Sequence, residues 1–293
     1  MTNLLGNELL SALVSTLVGA LITILAYWSQ KLYQYFKTRN VRLFWKPFIK
    51  KKLTIIITEY PISGNDRLSN IAKTAGTGWL ISKGMALSLA HLLDFCESKI
   101  TKRQDLIVLG DRTGNLETPD AIILGSPANN PYSKIMYDDL NKMYDIPYRI
   151  IWDEDGIPIE ISSTTGEKFS PAVENGLGQD YALIIKADNQ LVPRKSILII
   201  AGCYMWGTKA AAEAVTEAKI LNEVAKETKN SSNVAFIIKT RVVNDTSLGP
   251  EIEIGNRRFI RPLQLKSVAK TTSANSPDTL AAPPISSTSH AMA

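Results

Sequence analysis

Residues 196–209 read SILIIAGCYMWGTK. They decide the fold. Ser196 to Ala201 is a short apolar, β-branched run that reads as a buried strand. Gly202 to Thr208 is a glycine-bounded loop, and an Ala-rich stretch of helical composition follows to about Lys226. Strand, glycine loop and helix in direct succession are the unit of an α/β fold. Other strands follow the same pattern. Leu53–Thr58 (LTIIIT), Asp105–Leu109 (DLIVL), Ala121–Leu124 (AIIL) and Tyr181–Lys186 (YALIIK) are short apolar runs. Helical spacing of Met85, Leu89, Leu92 and Leu93 predicts a helix over 83–99, and another is expected from the GSPANNP turn to about Met143. Arg149–Trp152 and Ile157–Ile161 read as a hairpin around Asp155-Gly156. Val234–Val243 and Glu251–Ile260 read as paired strands. The expectation is an α/β domain with a Rossmann-like, largely parallel sheet and an antiparallel extension.

Outward from this core, Leu9 to Trp28 reads LLSALVSTLVGALITILAYW without a charged residue. About 20 residues at about 1.5 Å each match a bilayer's hydrocarbon thickness. Only Glu8 is charged before the run and no small-residue cleavage site follows it, which argues against a secretory signal. Lys31, Lys37, Arg39, Arg42, Lys46, Lys50, Lys51 and Lys52 follow with no acid among them. By the positive-inside rule this predicts a single-pass protein of the inner membrane, N-terminus outside and main domain cytoplasmic. Lipid bilayer is thus an expected partner. Ser11, Ser15 and Gly19 repeat every four residues, spacing that favours close helix approach and a homo-oligomer. The expected organisation is a transmembrane helix over 1–28, a basic, aromatic connector over 29–52 that Pro47 bends or ends, an α/β ligand-binding domain over 53–263, and a Ser-, Thr-, Ala- and Pro-rich disordered tail over 264–293.

Composition narrows the chemistry. Of 293 residues, 33 are Lys or Arg and 28 are Asp or Glu, so the net charge is only +5 and the placement of charge matters more than its amount. The 2 cysteines, Cys96 and Cys203, form neither a disulfide framework nor a metal motif, so no metal and no cofactor is expected. His91 falls within a helix and His290 in the tail, and neither resembles a catalytic base. Three loops are candidate ligand sites, because ligands of open α/β sheets bind at the carboxyl ends of strands. Gly76 and Gly78 flank Thr77 in a short glycine turn. Gly125, Ser126, Asn129 and Asn130 follow AIIL, where Asn129 or Asn130 either caps the next helix or holds a phosphate, ribose or base edge. Gly202, Tyr204, Trp206, Gly207, Thr208 and Lys209 form the third. Thr208 stands where an N-cap is expected, Lys209 adds a charge, and the two aromatics offer stacking faces. The P-loop spacing is not met. Asp180 either binds a ribose hydroxyl or ends a turn.

The sequences LGSPANN, DYALIIKADN and ILIIAGCYMWGTKAA behind a short apolar N-terminus resemble bacterial membrane-tethered effectors of antiviral nucleotide signalling, in the style of CBASS, Pycsar and Hailong systems. The resemblance is architectural over residues 9 to 263. It implies an oligomeric effector whose α/β domain senses a nucleotide or short oligonucleotide supplied by a nucleotide-synthesising partner enzyme, and which gates membrane disruption or ion flow in antiphage defence. The competing expectation is a membrane-anchored enzyme, deoxyribosyltransferase-like or nucleosidase-like, using a carboxylate such as Asp111.

Overall fold

The structure is a computed structural model. It describes residues 2–58, 60–61, 79–110, 120–127, 130–152, 158–174, 177–188, 192, 194–243, 246–251 and 259–266, with backbone alone for some of these, including 2–15 and 36–37. Among the described residues the α-helices are α1 (Thr2–Trp45), α2 (Lys83–Lys99), α3 (Pro131–Met143), α4 (Met205–Ala214) and α5 (Ala218–Glu227). The main sheet contains β1 (Leu53–Ile57), β4 (Leu106–Gly110), β5 (Asp120–Leu124), β9 (Ala172–Glu174), β10 (Leu177–Asp188), β11 (Ser196–Gly202), β12 (Val234–Val243), β13 (Thr246–Glu251) and β14 (Ile260–Pro262). Two short strands, β2 (Tyr60–Pro61) and β3 (Trp79–Leu80), pair with each other. A separate three-stranded sheet is formed by β6 (Tyr148–Trp152), β7 (Pro158–Ser163) and β8 (Lys168–Phe169).

The main path runs β13-β12-β10-β11-β5-β1-β4. Within it β4, β1, β5 and β11 are parallel. The remaining pairings of β10 and β12 are antiparallel. The sheet is therefore mixed, not largely parallel, and that expectation is corrected. Parallel neighbours need a crossover long enough to hold a helix. Residues 189–195 between β10 and β11 are too few for one, so the chain turns back beside itself.

Strand alternation divides the core into two layers. Ile55, Ile57, Ile122, Leu124, Leu198 and Ile200 face one side with α2, α4, α5 and the end of α1. Ile56, Ile123, Ile197 and Ile199 face the other with α3 and the three-stranded sheet. Every residue of β1, β5 and β11 is buried, as expected for strands covered on both faces.

The N-terminal helix differs from the expectation. Among the described residues no helix is long and apolar enough to cross a membrane. This overturns the transmembrane span, and with it the single-pass inner-membrane location. The helix does not stop at Trp28. It runs on without a break through Lys31, Lys37, Arg39 and Arg42 to Trp45. Two of the basic residues lie near the helix's own rings: Lys31 sits 5.3 Å from the Trp28 ring centre and Arg42 5.5 Å from that of Tyr35. Ser11 and Ser15 lie outside the described side chains, and a Cβ on Gly19 would meet nothing within 4 Å.

The Ala-rich stretch is two helices, not one. Glu217 is extended at the break, and Thr216 Oγ1 donates to Glu213 O. The second of the paired C-terminal strands is likewise replaced by two short ones, β13 and β14, on either side of residues outside the description. Pro47 lies in a single 3-10 turn, Lys46–Phe48, which ends α1 as expected. Residues 264–266, assigned to the tail from sequence, are described. Tyr144 bridges Leu265, and Lys266 N donates to Met143 O. Residues 267–293 lie outside the description, as does Asp155-Gly156.

Trp45 fixes α1 to the domain. It is fully buried among Phe44, Phe48 and Phe95, and its indole Nε1 donates to Val215 O at 2.7 Å, where α4 ends. Asn40 Nδ2 adds a bond to Asn222 Oδ1 on α5. We expect Trp45→Ala to cost about 3–5 kcal/mol by lost packing. Trp45→Phe should cost about 1–3 kcal/mol, because the Val215 carbonyl loses its donor. Urea unfolding followed by helical circular dichroism measures both. A negligible loss in the alanine variant would mean that α1 docks without contributing to stability.

Candidate ligand crevice at the carboxyl ends of the parallel strands

The parallel strands β1, β5 and β11 end together at Thr58, Gly125 and Gly202. The chain leaves β1 towards α2 on one face and leaves β5 into α3 on the other. Divergent exits from neighbouring strands open a crevice at the switch point, the place where α/β sheets bind ligands. The N-termini of α2, α3 and α4 all lie along this edge.

At the β5 exit, Gly125 has φ 125° and its N–H donates to Ile200 O. A side chain there would strike Thr58 Oγ1. Asn130 caps α3: its side-chain oxygen accepts from Ser133 N at 3.0 Å. Its Nδ2 donates to Leu124 O and Thr58 Oγ1. Asn130 is fully buried, so it stitches β1 to β5 rather than facing the crevice. Ser126 is buried too. Asn129, Gly76, Gly78 and Asp111 lie outside the described residues.

At the β11 exit, α4 begins three residues earlier than its expected cap. Tyr204 is the N-cap and makes no side-chain cap bond. Thr208 lies in the first turn, and its Oγ1 accepts from Gly202 N at 3.2 Å. The capping anion comes from a neighbouring strand. Asp180, two residues before the stretch of β10 that pairs with β11, is 2% exposed. Its Oδ1 accepts from Tyr181 N at 2.7 Å and Tyr204 N at 3.1 Å, and its Oδ2 from Gly207 N at 2.5 Å. Amides at a helix N-terminus are unpaired within the helix and attract an anion. Here the chain supplies its own. Gly207 is required for this approach, since a Cβ would collide with the Tyr181 carbonyl. Both Asp180 oxygens are occupied and the group is enclosed, so it anchors α4.

Lys209 points away from the crevice, to Glu213 and to Ser247 Oγ at 3.0 Å. Trp206 is buried at 6% exposure, with the Lys83 ammonium 5.1 Å from its ring centre. Tyr204 is 48% exposed and is the aromatic available at the rim. Of the third loop's candidates, Tyr204 therefore faces outward while Gly202, Trp206, Gly207 and Thr208 build the wall. Lys83, at the start of α2, was not among the sequence candidates. Its signal is Ser82, whose side chain accepts from Met85 N and starts that helix at the same edge.

Other reactive groups are placed for structure. Burial pushes the Cys203 thiol well above its ordinary range, and the Cys96 thiol up to about 12. His91 Nε2 lies 2.8 Å from Thr216 Oγ1 beside the α4–α5 break. Among the described residues no group of His, Cys, Asp or Glu is placed to hold a metal.

Asp180 carries a pH signature. Burial raises its pKa to about 6, with the backbone amides of Gly207, Tyr181, Tyr204 and Trp206 pulling the other way. A carboxyl whose folded pKa is raised binds more protons folded than unfolded. Its contribution is full below about pH 4 and is lost as pH rises through about 6. The stability gap between the parent and Asp180→Asn should therefore shrink by about 3 kcal/mol at most from pH 4 to pH 7. Paired denaturation curves at these pH values measure it, and a flat gap would place the carboxyl in the ordinary range. The chain matches no protein-family model and no curated protein, so its function rests on this geometry.

Proposed function

We propose that the protein is a nucleotide-responsive effector: the crevice over β1, β5 and β11 binds an anionic nucleotide or short oligonucleotide, and α4 carries the response to α1. The observation behind this reading is the placement of α4. Its first turn forms the crevice wall through Tyr204 and Gly207, held by Asp180. Its far end is the Val215 carbonyl gripped by Trp45 of α1. One short rigid helix thus touches both the crevice and the long helix. Lys83 supplies positive charge at the rim and Tyr204 a stacking face, the two groups that a phosphate-bearing base needs. The resemblance to nucleotide-signalling effectors points the same way.

The response is self-association of α1 between copies of the chain. Leu17, Leu21, Ile22, Leu25 and Trp28 are exposed along it, and an apolar surface of this extent calls for a partner. Gly19 leaves open space for a second helix. A ligand shifts this equilibrium only by binding one arrangement more tightly than the other.

Calorimetry with mononucleotides, cyclic dinucleotides and cyclic trinucleotides tests the crevice. Tyr204→Ala should weaken binding by about 1–3 kcal/mol through lost stacking, and Lys83→Glu should weaken it further at low salt. Trp45→Phe should leave affinity nearly unchanged while reducing the ligand-dependent change in oligomer size seen by light scattering. Failure of the parent to bind any of these nucleotides would remove the reading. Equal affinity in the parent, Tyr204→Ala and Lys83→Glu would move the site elsewhere.

A further inference from the structure

At the opposite edge of the sheet a cavity of about 230 Å³ lies where α1 crosses α5. Phe44, Leu43, Leu221 and Val224 are among its apolar walls, and its polar lining includes Asn40, Lys46 and Lys186 together with Thr228 and the 230–232 turn. It is separated from the crevice by the length of β11, roughly 20 Å at about 3.3 Å per residue.

Lys186 is the unusual group. It stands on the core face of β10, in step with Ala182 and Ile184, and is only 3% exposed. Among the described residues it forms no hydrogen bond and no ion pair. Its ammonium lies 4.9 Å from the centre of the Phe44 ring, and Asp188, two residues on, acts on it only through space. Two C-terminal carbonyls of α5 already take other donors. Val224 O accepts from Thr228 N and Thr228 Oγ1, and Ala225 O accepts from Asn230 N. A second polar atom in the same cavity, Asn40 Oδ1, is buried without a partner. Burial without an acceptor lowers the Lys186 pKa to about 8, which leaves the amine charged at neutral pH. A buried cation without a hydrogen-bonded counter-charge is costly, and the cost is relieved when an anion enters.

We propose that this cavity binds a small organic anion with an apolar body, its anionic group paired with Lys186 and its body lying between Phe44 of α1 and Leu221 of α5. The ligand bridges the two helices whose crossing holds α1 on the domain, so it tightens that joint. This site is independent of the crevice.

The probe is hexanoate, with hexan-1-ol as its neutral counterpart, measured by calorimetry on the full chain. A charge-assisted hydrogen bond predicts that the parent prefers hexanoate by roughly tenfold or more. Lys186→Met should bring the two probes to equal affinity while melting no lower than the parent, since it removes a buried charge. Leu43→Trp, on the exposed rim of the cavity, should block both probes without touching Lys186. Equal affinity of the parent for acid and alcohol would overturn the proposal, as would failure of both to bind at about 10 mM. A hexanoate preference that survives Lys186→Met, or hexanoate binding that survives Leu43→Trp, would also overturn it.

Discussion

The seat of the Asp180 carboxylate on the amides of Tyr181, Tyr204 and Gly207 is the constraint on which the arrangement of helices depends. A helix N-terminus buried at a strand end leaves donors that nothing within the helix satisfies. An external phosphate is one solution. A carboxylate from the adjacent antiparallel strand is another, and it fixes the angle at which α4 leaves β11. Because β10 turns back beside β11 with Ala182 opposite Gly202, Asp180 arrives just beyond the end of β11. The mixed character of the sheet is therefore what makes this cap available. An all-parallel sheet would place the start of the neighbouring strand at the other edge.

With its first turn fixed, α4 can act as a strut. Its residues Ala210, Ala211, Ala212 and Ala214 are all fully buried. Small side chains let the helix lie close against the sheet and against α2, which leaves little room for it to bend. Packed interiors answer displacement by moving whole elements rather than deforming them. A shift of the rim at Tyr204 would then arrive at Val215, and Trp45 is bonded there. The break at residues 215–217 ends the strut at that contact, and His91 and Thr216 bond across it from α2.

Much of this was legible in the sequence. Short β-branched runs gave the strand positions, apolar spacing gave the helix over 83–99, and turn chemistry gave Asn130 as one of two cap candidates. The direction of β10 was not legible from periodicity, because a strand buried on both faces looks the same in either orientation. Only the length of the 189–195 connection carries that information. The break after Ala214 contains no glycine or proline and so leaves no local signal. At the N-terminus, apolar content suggested a span, whereas the continuous helix draws its structural role from its far end, where Phe44, Trp45 and Phe48 are buried. Within the site, the glycines at 125 and 207 were found for the right positions but serve close packing. Lys209 looked like a ligand contact because it follows a glycine loop. Its helical phase turns it instead towards Glu213, one turn along the same face.

The lower edge of the sheet shows how differently the same chain treats two buried charges. Asp120, at the start of β5, is fully enclosed and is met by Ser196 N at 2.9 Å, Lys51 at 3.3 Å and Lys195 at 3.6 Å. Both lysines keep about a third of their side chains in solvent. That carboxylate is neutralised by groups that remain partly hydrated, so its burial is supported from two segments, one just before β1 and one at the start of β11. Lys186 is given an aromatic face, one distant acid and a cavity. In the sequence it stands in phase with Ala182 and Ile184, between Asp180 and Asp188 on the same face of the strand. A structural lysine at such a point would be expected to reach an acceptor, as Lys51 and Lys195 do. Val224 O and Ala225 O at the end of α5 already accept from Thr228 and Asn230. Among the described residues no acceptor reaches Lys186, and an anion entering the cavity between α1 and α5 would complete it.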